Sequence, residues 1–167
     1  MPEPGPDGVR YRRPTEADHV PIVRLIDDWW GGGPGSESLD RLWLQHFTGT
    51  SWLAEVSGAR IGGFLVGFLS ADHPDTACCR LVGMDPNLRR QGIGRALYDR
   101  FVADARAAGR SRIVATVWPG NHGAIAFHLA LGFELLIGPG TQNLYGTPAY
   151  PAYDHDREDR SVLVRRI

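Results

Sequence analysis

Met84-Asp85-Pro86-Asn87-Leu88-Arg89-Arg90-Gln91-Gly92-Ile93-Gly94-Arg95-Ala96-Leu97 is the stretch on which the reading of this chain turns. An apolar run from Ala77 ends at Val82-Gly83-Met84, a polar loop follows, and Ile93, Leu97, Phe101 and Ala105 then repeat every four residues. That is strand, loop and helix, with Gly109 standing where a left-handed residue closes a helix. The first backbone N–H groups of a helix have no partner inside it and carry the positive end of its dipole. Glycines at 92 and 94 leave that backbone open to an anion, since no Cβ stands in the way. The segment therefore suits a diphosphate, with Arg89, Arg90 and Arg95 adding charge-assisted contacts at the rim. A Gly-x-Gly that only makes a turn is the plainer alternative. The NTPase phosphate loop needs Gly-Lys-Ser/Thr, which is absent, and the dinucleotide fingerprint needs a third glycine where Leu97 stands.

Working outward, Arg112 to Trp118 reads as a buried strand and Ala124 to Leu131 as a shorter helix closed by Gly132. The unit from Ala77 to Trp118 should then be a right-handed parallel crossover. Upstream, Val9 to Arg13 can form a first strand, and Thr15 with Asp18 resembles a capping box opening a helix to about Trp30. Gly31-Gly32-Gly33-Pro34-Gly35 must break that helix. A second helix is expected from Ser38 to Phe47, with Leu39, Leu42, Trp43 and Phe47 on one face. Trp52 to Val56 and Ile61 to Ser70 read as a hairpin about Ser57-Gly58. Phe133 to Ile137 and Val162 to Arg166 supply two last strands across a long loop. The order predicts an α/β fold: a mixed, mostly antiparallel sheet of about seven strands with helices on both faces. Residues 1–8, with three prolines, read as a flexible tail, and 9–167 as one domain.

Two motifs in register make the chain resemble a known family. Arg89-x-x-Gly92-x-Gly94, after Pro86 and before Ala96-Leu97, looks like the acetyl-CoA motif of the GNAT superfamily of N-acetyltransferases. Asn121-x-x-Ala124-x-x-Phe127-His128-x-x-Leu131-Gly132-Phe133 follows at the matching distance. The resemblance implies the GNAT fold, acetyl-CoA as donor, and direct transfer to a primary amine of a small molecule or peptide. No metal is implied. It gives the diphosphate to Arg89, Arg90, Gln91, Gly92, Ile93, Gly94 and Arg95. It gives the pantetheine arm to a bulged strand end at Val82, Gly83 and Met84, with Asn121 and Phe127 beside it; Asn121 serves equally as a helix cap. A free N–H near Met84 would polarise the thioester carbonyl. Two subunits pair in many relatives, which leaves a homodimer open.

The departure lies at His128, where the family usually has a tyrosine that protonates the leaving thiolate. An imidazole can do so only in its protonated form, and the alternative is a histidine that merely packs. For the base, Glu55 is the first candidate, with Asp27, Asp28 and Asp85 behind it. Substrate contacts are expected from Asp27, Trp29, Trp30 and Tyr145, with Tyr150 and Tyr153 nearby; carboxylates and aromatics suit a cationic amine, although both tryptophans could be core. Asp154-His155-Asp156 and Asp72-His73 read as turns rather than metal ligands. A non-catalytic acyl-CoA-binding module is the rival reading, since it would need no acid.

Bulk properties read as those of an ordinary soluble globular protein. The 167 residues carry a net charge of −1 with 43% apolar residues, which points neither to nucleic acid nor to an anionic membrane. Cys78 and Cys79 are adjacent, so no disulfide framework exists, as suits a cytoplasmic protein. The first residues lack the pattern of a signal peptide. Basic content that is all arginine hints at a GC-rich bacterial genome.

Overall fold

The computed structural model describes residues 8–30, 39–155 and 158–167. The tail at 1–7, the glycine run and the rest of 31–38, and Asp156 fall outside the described residues. Seven strands form one sheet in the order β1-β2-β3-β4-β5-β9-β6. They are β1 (Arg10–Arg12), β2 (Trp52–Val56), β3 (Arg60–Leu69), β4 (Thr76–Met84), β5 (Arg112–Val117), β6 (Glu134–Leu135) and β9 (Ser161–Arg166). All neighbours are antiparallel except β4 and β5, the expected parallel crossover. The last strand of the chain slots between β5 and the short edge strand β6.

Among the described residues four helices cover the sheet: α1 (His19–Trp29), α2 (Leu42–His46), α3 (Ile93–Ala107) and α4 (His122–Ala130). Strand alternation sends successive side chains to opposite faces, and the middle of the sheet is buried on both. In β3, residues 61–67 are all buried. Phe64 and Val66 join Ile22 and Ile26 of α1 and Leu44 of α2 in one core. Leu65 turns the other way, into a core with Leu97, Tyr98, Phe101 and Ala105 of α3. Full burial of such side chains contributes about 1.5–3 kcal/mol each, so α3 is held mainly by this stripe.

Three elements depart from the sequence reading. Thr15 does not start α1 directly: residues 16–18 form a 3-10 turn in which the Asp18 carboxylate accepts from the Thr15 N–H at 2.7 Å and is clamped by Arg12 at 2.8 Å. The second helix shrinks to five residues and rotates in phase, so Leu44 is buried while Leu42 is exposed. Leu39 is buried ahead of that helix, its carbonyl taking a hydrogen bond from His19 Nε2 at 2.8 Å, and the first turn closes only at Trp43 N–H to Asp40. Finally, the late loop holds a hairpin, β7 (Gln142–Leu144) and β8 (Thr147–Ala149), turned by Tyr145 and Gly146 at φ 54° and 82°. Two positive φ values in succession are the signature of a tight hairpin turn whose twist matches its strands.

Among the described residues no helix is long and apolar enough to cross a membrane.

Candidate functional site

The parallel pairing of β4 with β5 runs only from Thr76–Arg112 to Cys79–Ala115. Beyond Cys79 the two strands part. The cause is local: on its other edge, β4 jumps register against β3, with Val66 opposite Leu81 and Gly67 opposite Cys79. Arg80 is the extra residue, a bulge that bends its strand away from its neighbour. The break falls two residues before the expected Val82-Gly83-Met84, which instead form the free run beyond it. Ladder groups of β4 on the β5 side lose their partners there.

Two adjoining cavities fill the gap. The larger, about 820 Å³, lies between the end of β4, the N-terminus of α3 and the flank of α4. Its walls include Val82, Gly83, Met84, Arg89, Arg90, Gly92, Ile93, Gly94, Arg95, Asn121 and Phe127, and also His128 and Trp30. Of the residues assigned to the donor, Gln91 alone is absent from this wall. Leu88, Gly123, Ala124 and Ala126 line it too, and small residues on one face of α4 could have signalled a close-fitting ligand. The smaller cavity, about 150 Å³, continues into the gap between β4 and β5 past Arg80, Leu81, Thr116 and Val117. Trp30, Val82, Asn121, Ala124 and His128 border both.

The mouth of the larger cavity has the features of an anion cradle. Arg90 and Gly92 both adopt left-handed backbone, at φ 65° and 85°, which folds the loop back on itself. The first α3 ladder bond is Ala96 N–H to the Gly92 carbonyl, 3.0 Å, so the amides of residues 93–95 precede the ladder. A Cβ built on Gly92 would meet nothing within 4 Å, which leaves open space above the backbone. Gly94 is glycine for a different reason: a Cβ there would stand 2.5 Å from Met84 Sδ and 2.8 Å from the Phe127 ring. Position 92 keeps open space above the backbone, and position 94 lets α3 approach α4. Asn121 caps α4 through Ala124 N–H at 3.1 Å and also borders both cavities.

His128 sits in the wall, but not as a free acid. It is only 2% exposed. Its Nδ1 lies 2.8 Å from the Ala124 carbonyl, which can only accept, so Nδ1 carries the proton. Nε2 is 2.6 Å from Tyr98 Oη and therefore accepts from that hydroxyl. Burial lowers the pKa of the imidazole, partly offset by the Ala124 bond. Tyr98 is itself fully buried, which drives its phenol well up, and it stands beside Cys79, whose thiol burial raises to about 12. The network is neutral.

The remaining candidates are spread more widely. Glu55 lies away from both cavities; it is buried between Arg10 and Arg12, at 2.9 and 2.6 Å, where it ties β1 to β2. Asp85 caps the turn at 86–88 through Asn87 N–H and pairs with Arg60 at 2.7 Å. Asp27 and Asp28 stay on α1, off the cavity walls. Trp29 stacks on Phe64 in the α1 core, so only Trp30 of the pair reaches the site. Tyr145 packs on Trp118 at the β7–β8 turn, outside both cavities, and Tyr150 packs on Tyr153. Among the described residues no group of three or more His, Cys, Asp or Glu is gathered as a metal site would be.

The sequence from residue 20 to 133 matches the model of the acetyltransferase (GNAT) family. The chain belongs to that family. L-2,4-diaminobutyric acid acetyltransferase from Nocardia farcinica is 29% identical over 148 residues, which cover 89% of this chain and 76% of the relative. Among solved structures, diaminobutyrate acetyltransferase from Paenibacillus lautus, in complex with its substrate L-2,4-diaminobutyric acid and coenzyme A, superposes with a TM-score of 0.68 at 27% identity, covering 93% of each chain. Ard1 from Thermoplasma volcanium gives 0.76 at 22% identity over 96% of this chain and 98% of its own, a likeness of fold. As a GNAT enzyme this protein is an acetyl-CoA-dependent acetyltransferase acting on an amine, with no support for the non-catalytic alternative.

Proposed function

We propose that the acceptor is a small diamino acid, of the class its diaminobutyrate-acetylating relatives use, and that the two cavities divide the work. The observation that carries this reading is the parting of β4 from β5 after Cys79 and Ala115, which joins a large donor cleft to a small acceptor pocket. The amides of residues 93–95, with Arg89, Arg90 and Arg95, hold the diphosphate. Unpaired groups of β4 at 82–84 take the pantetheine arm as an added strand would be taken. Bound acetyl-CoA supplies a thioester, whose carbonyl oxygen a β4 amide near Met84 polarises.

The acceptor pocket, about 150 Å³, admits a short amine and excludes a bulky one. Holding amine and thioester in line contributes several kcal/mol to the rate, and this fits a site whose described walls present no carboxylate as base. His128 shapes the junction of the pockets as a neutral ring. Both cores share one sheet, which supports reading residues 9–167 as a single domain; the free thiols of Cys78 and Cys79 suit a cytoplasmic protein. The test is acceptor screening with acetyl-CoA, followed by release of free thiol. Turnover of short diamino acids is the expected result; turnover confined to peptide amines would displace this reading.

A further inference from the structure

Helix α1 carries its buried side chains four residues apart: Ile22 is 1% exposed and Ile26 0%, both in one core with Phe64 and Val66 of β3. Residues spaced by four share one face of a helix. Trp30, whose N–H still closes on the Ile26 carbonyl at 3.0 Å, therefore continues that stripe. Yet Trp30 is 37% exposed. The cause lies beneath it. Trp29 lands on Phe64, whereas the Trp30 indole reaches the place where β4 and β5 part and borders both cavities. A large apolar side chain on the buried stripe thus ends over a hollow instead of over a sheet. The two sides of that hollow differ. Cys79 and Ala115 belong to the α3 core and Val82 packs against it, while Leu81 packs against the α1 core. Ala115 and Val117 both turn to the α3 core, so Thr116 between them points to the α1 side. Trp30, Leu81 and Thr116 form the α1-side wall of the smaller cavity, and of these three Trp30 alone also borders the donor cleft.

We infer that Trp30 is the roof of the acceptor pocket: its indole lies along the carbon chain of the bound acceptor, sets the girth that can enter from the α1 side, and keeps water from the thioester. The inference rests on the acetyl-transfer reading for its setting and adds the residue that selects among amines. An aromatic face left over open space is buried when a short chain of methylenes fills that space, and burial of apolar surface is favourable. The smaller cavity, about 150 Å³, has room for such a chain beneath the ring. A wide acceptor can reach the donor cleft only by displacing the indole. The last hydrogen bond of α1 and the stacking of Trp29 on Phe64 hold the backbone that carries it. Selection here is by width, and it acts at the junction of the two cavities, where amine and thioester meet.

The test uses the full-length protein with acetyl-CoA and two acceptors, the methylamide and the benzylamide of L-2,4-diaminobutyric acid, which carry the same amines and charge and differ in girth. The wild type should favour the methylamide by at least about tenfold in kcat/KM. Trp30→Ala should bring this ratio near one, chiefly by raising turnover of the benzylamide. Trp30→Phe, which keeps an aromatic ring in the fold, should fall between. An unchanged ratio in both variants overturns the inference, as does equal use of the two amides by the wild type. Weaker coenzyme A binding with no change in ratio has the same force, since it would make Trp30 a donor contact. Hydrolysis of acetyl-CoA with no amine present gives a readout that needs no acceptor: water adds to the thioester carbonyl, the C–S bond breaks, and acetate and the free thiol leave. Opening the roof in Trp30→Ala should raise this rate on the order of tenfold. That rise, with neither amide acetylated by any of the three proteins, would sink the functional proposal and leave the roof standing. Brisk acetylation with ratio and hydrolysis both unchanged would do the reverse.

Discussion

The Tyr98 hydroxyl donates to His128 Nε2 across 2.6 Å, from one helix to the next, because the Ala124 carbonyl holds the ring proton on Nδ1. With Nδ1–H already given to the Ala124 carbonyl, neither nitrogen has a proton to spare for the cleft. His128→Phe should therefore lower kcat by less than about tenfold, while leaving the buried Tyr98 hydroxyl only the weak Cys79 thiol as partner, at a cost of about 1–3 kcal/mol. Steady-state kinetics beside a thermal melt decide the matter. A loss of 10³-fold or more with an unchanged melting temperature would restore the acid role.

The same burial makes His128 a source of pH-dependent stability. Its folded pKa lies below its unfolded value of about 6.5, so the unfolded chain binds the extra proton first. The stabilisation is complete above pH about 6.5 and is lost as pH falls below it. His128→Gln should flatten the fall in melting temperature between pH 6.5 and 5 relative to wild type. Parallel curves for the two proteins would contradict this assignment.

Glycines 92 and 94 should fail differently. Gly92→Ala forces a side chain into left-handed backbone, at about 1–2 kcal/mol, and puts a methyl where the diphosphate would lie. Coenzyme A affinity should drop at least tenfold with only modest destabilisation. Gly94→Ala drives a methyl into Met84 and Phe127, so stability should fall more, by about 1–3 kcal/mol. Titration of coenzyme A together with denaturant melts separates the two; the opposite ranking would refute the division of roles.

Glu55 should behave as a structural residue. Glu55→Gln leaves the guanidinium groups of Arg10 and Arg12 without their shared charge partner, and part-exposure tempers the cost to about 1–3 kcal/mol. The kcat at saturating substrate should stay within about twofold of wild type. A steep loss of kcat with shifted pH dependence would return Glu55 to the list of bases.

Much of the donor side was legible because its physics is local. Helix periodicity from Ile93 to Ala105, glycines before it and a strand behind it suffice to place an anion cradle, and the second motif follows in register. The acceptor side was not, because its parts come together only in three dimensions. Glu55 and Asp27 looked available as acids, yet Glu55 is consumed by two arginines on β1, 45 and 43 residues away in sequence. Trp29 and Trp30 are neighbours, and only the helix phase decides that the first meets Phe64 while the second reaches the cleft. Tyr98 stood out in no motif, because its bond to His128 crosses 30 residues. The β7–β8 turn had a signal in Tyr145-Gly146, but a weaker one than Asn-Gly or Asp-Gly.

The lone supernumerary residue of β4 has one more implication, for anyone who would edit this enzyme. The extra residue is absorbed by the bulge, so the strand beyond it keeps its register against β3. Excising Arg80 would not merely remove a cation: Leu81 would follow Cys79 in plain alternation, Leu81, Val82 and Met84 would keep the layers they now touch, and the irregularity at the point where β4 leaves β5 would be erased. A single-residue deletion there should be read as closing the cleft between two strands rather than as a small trim.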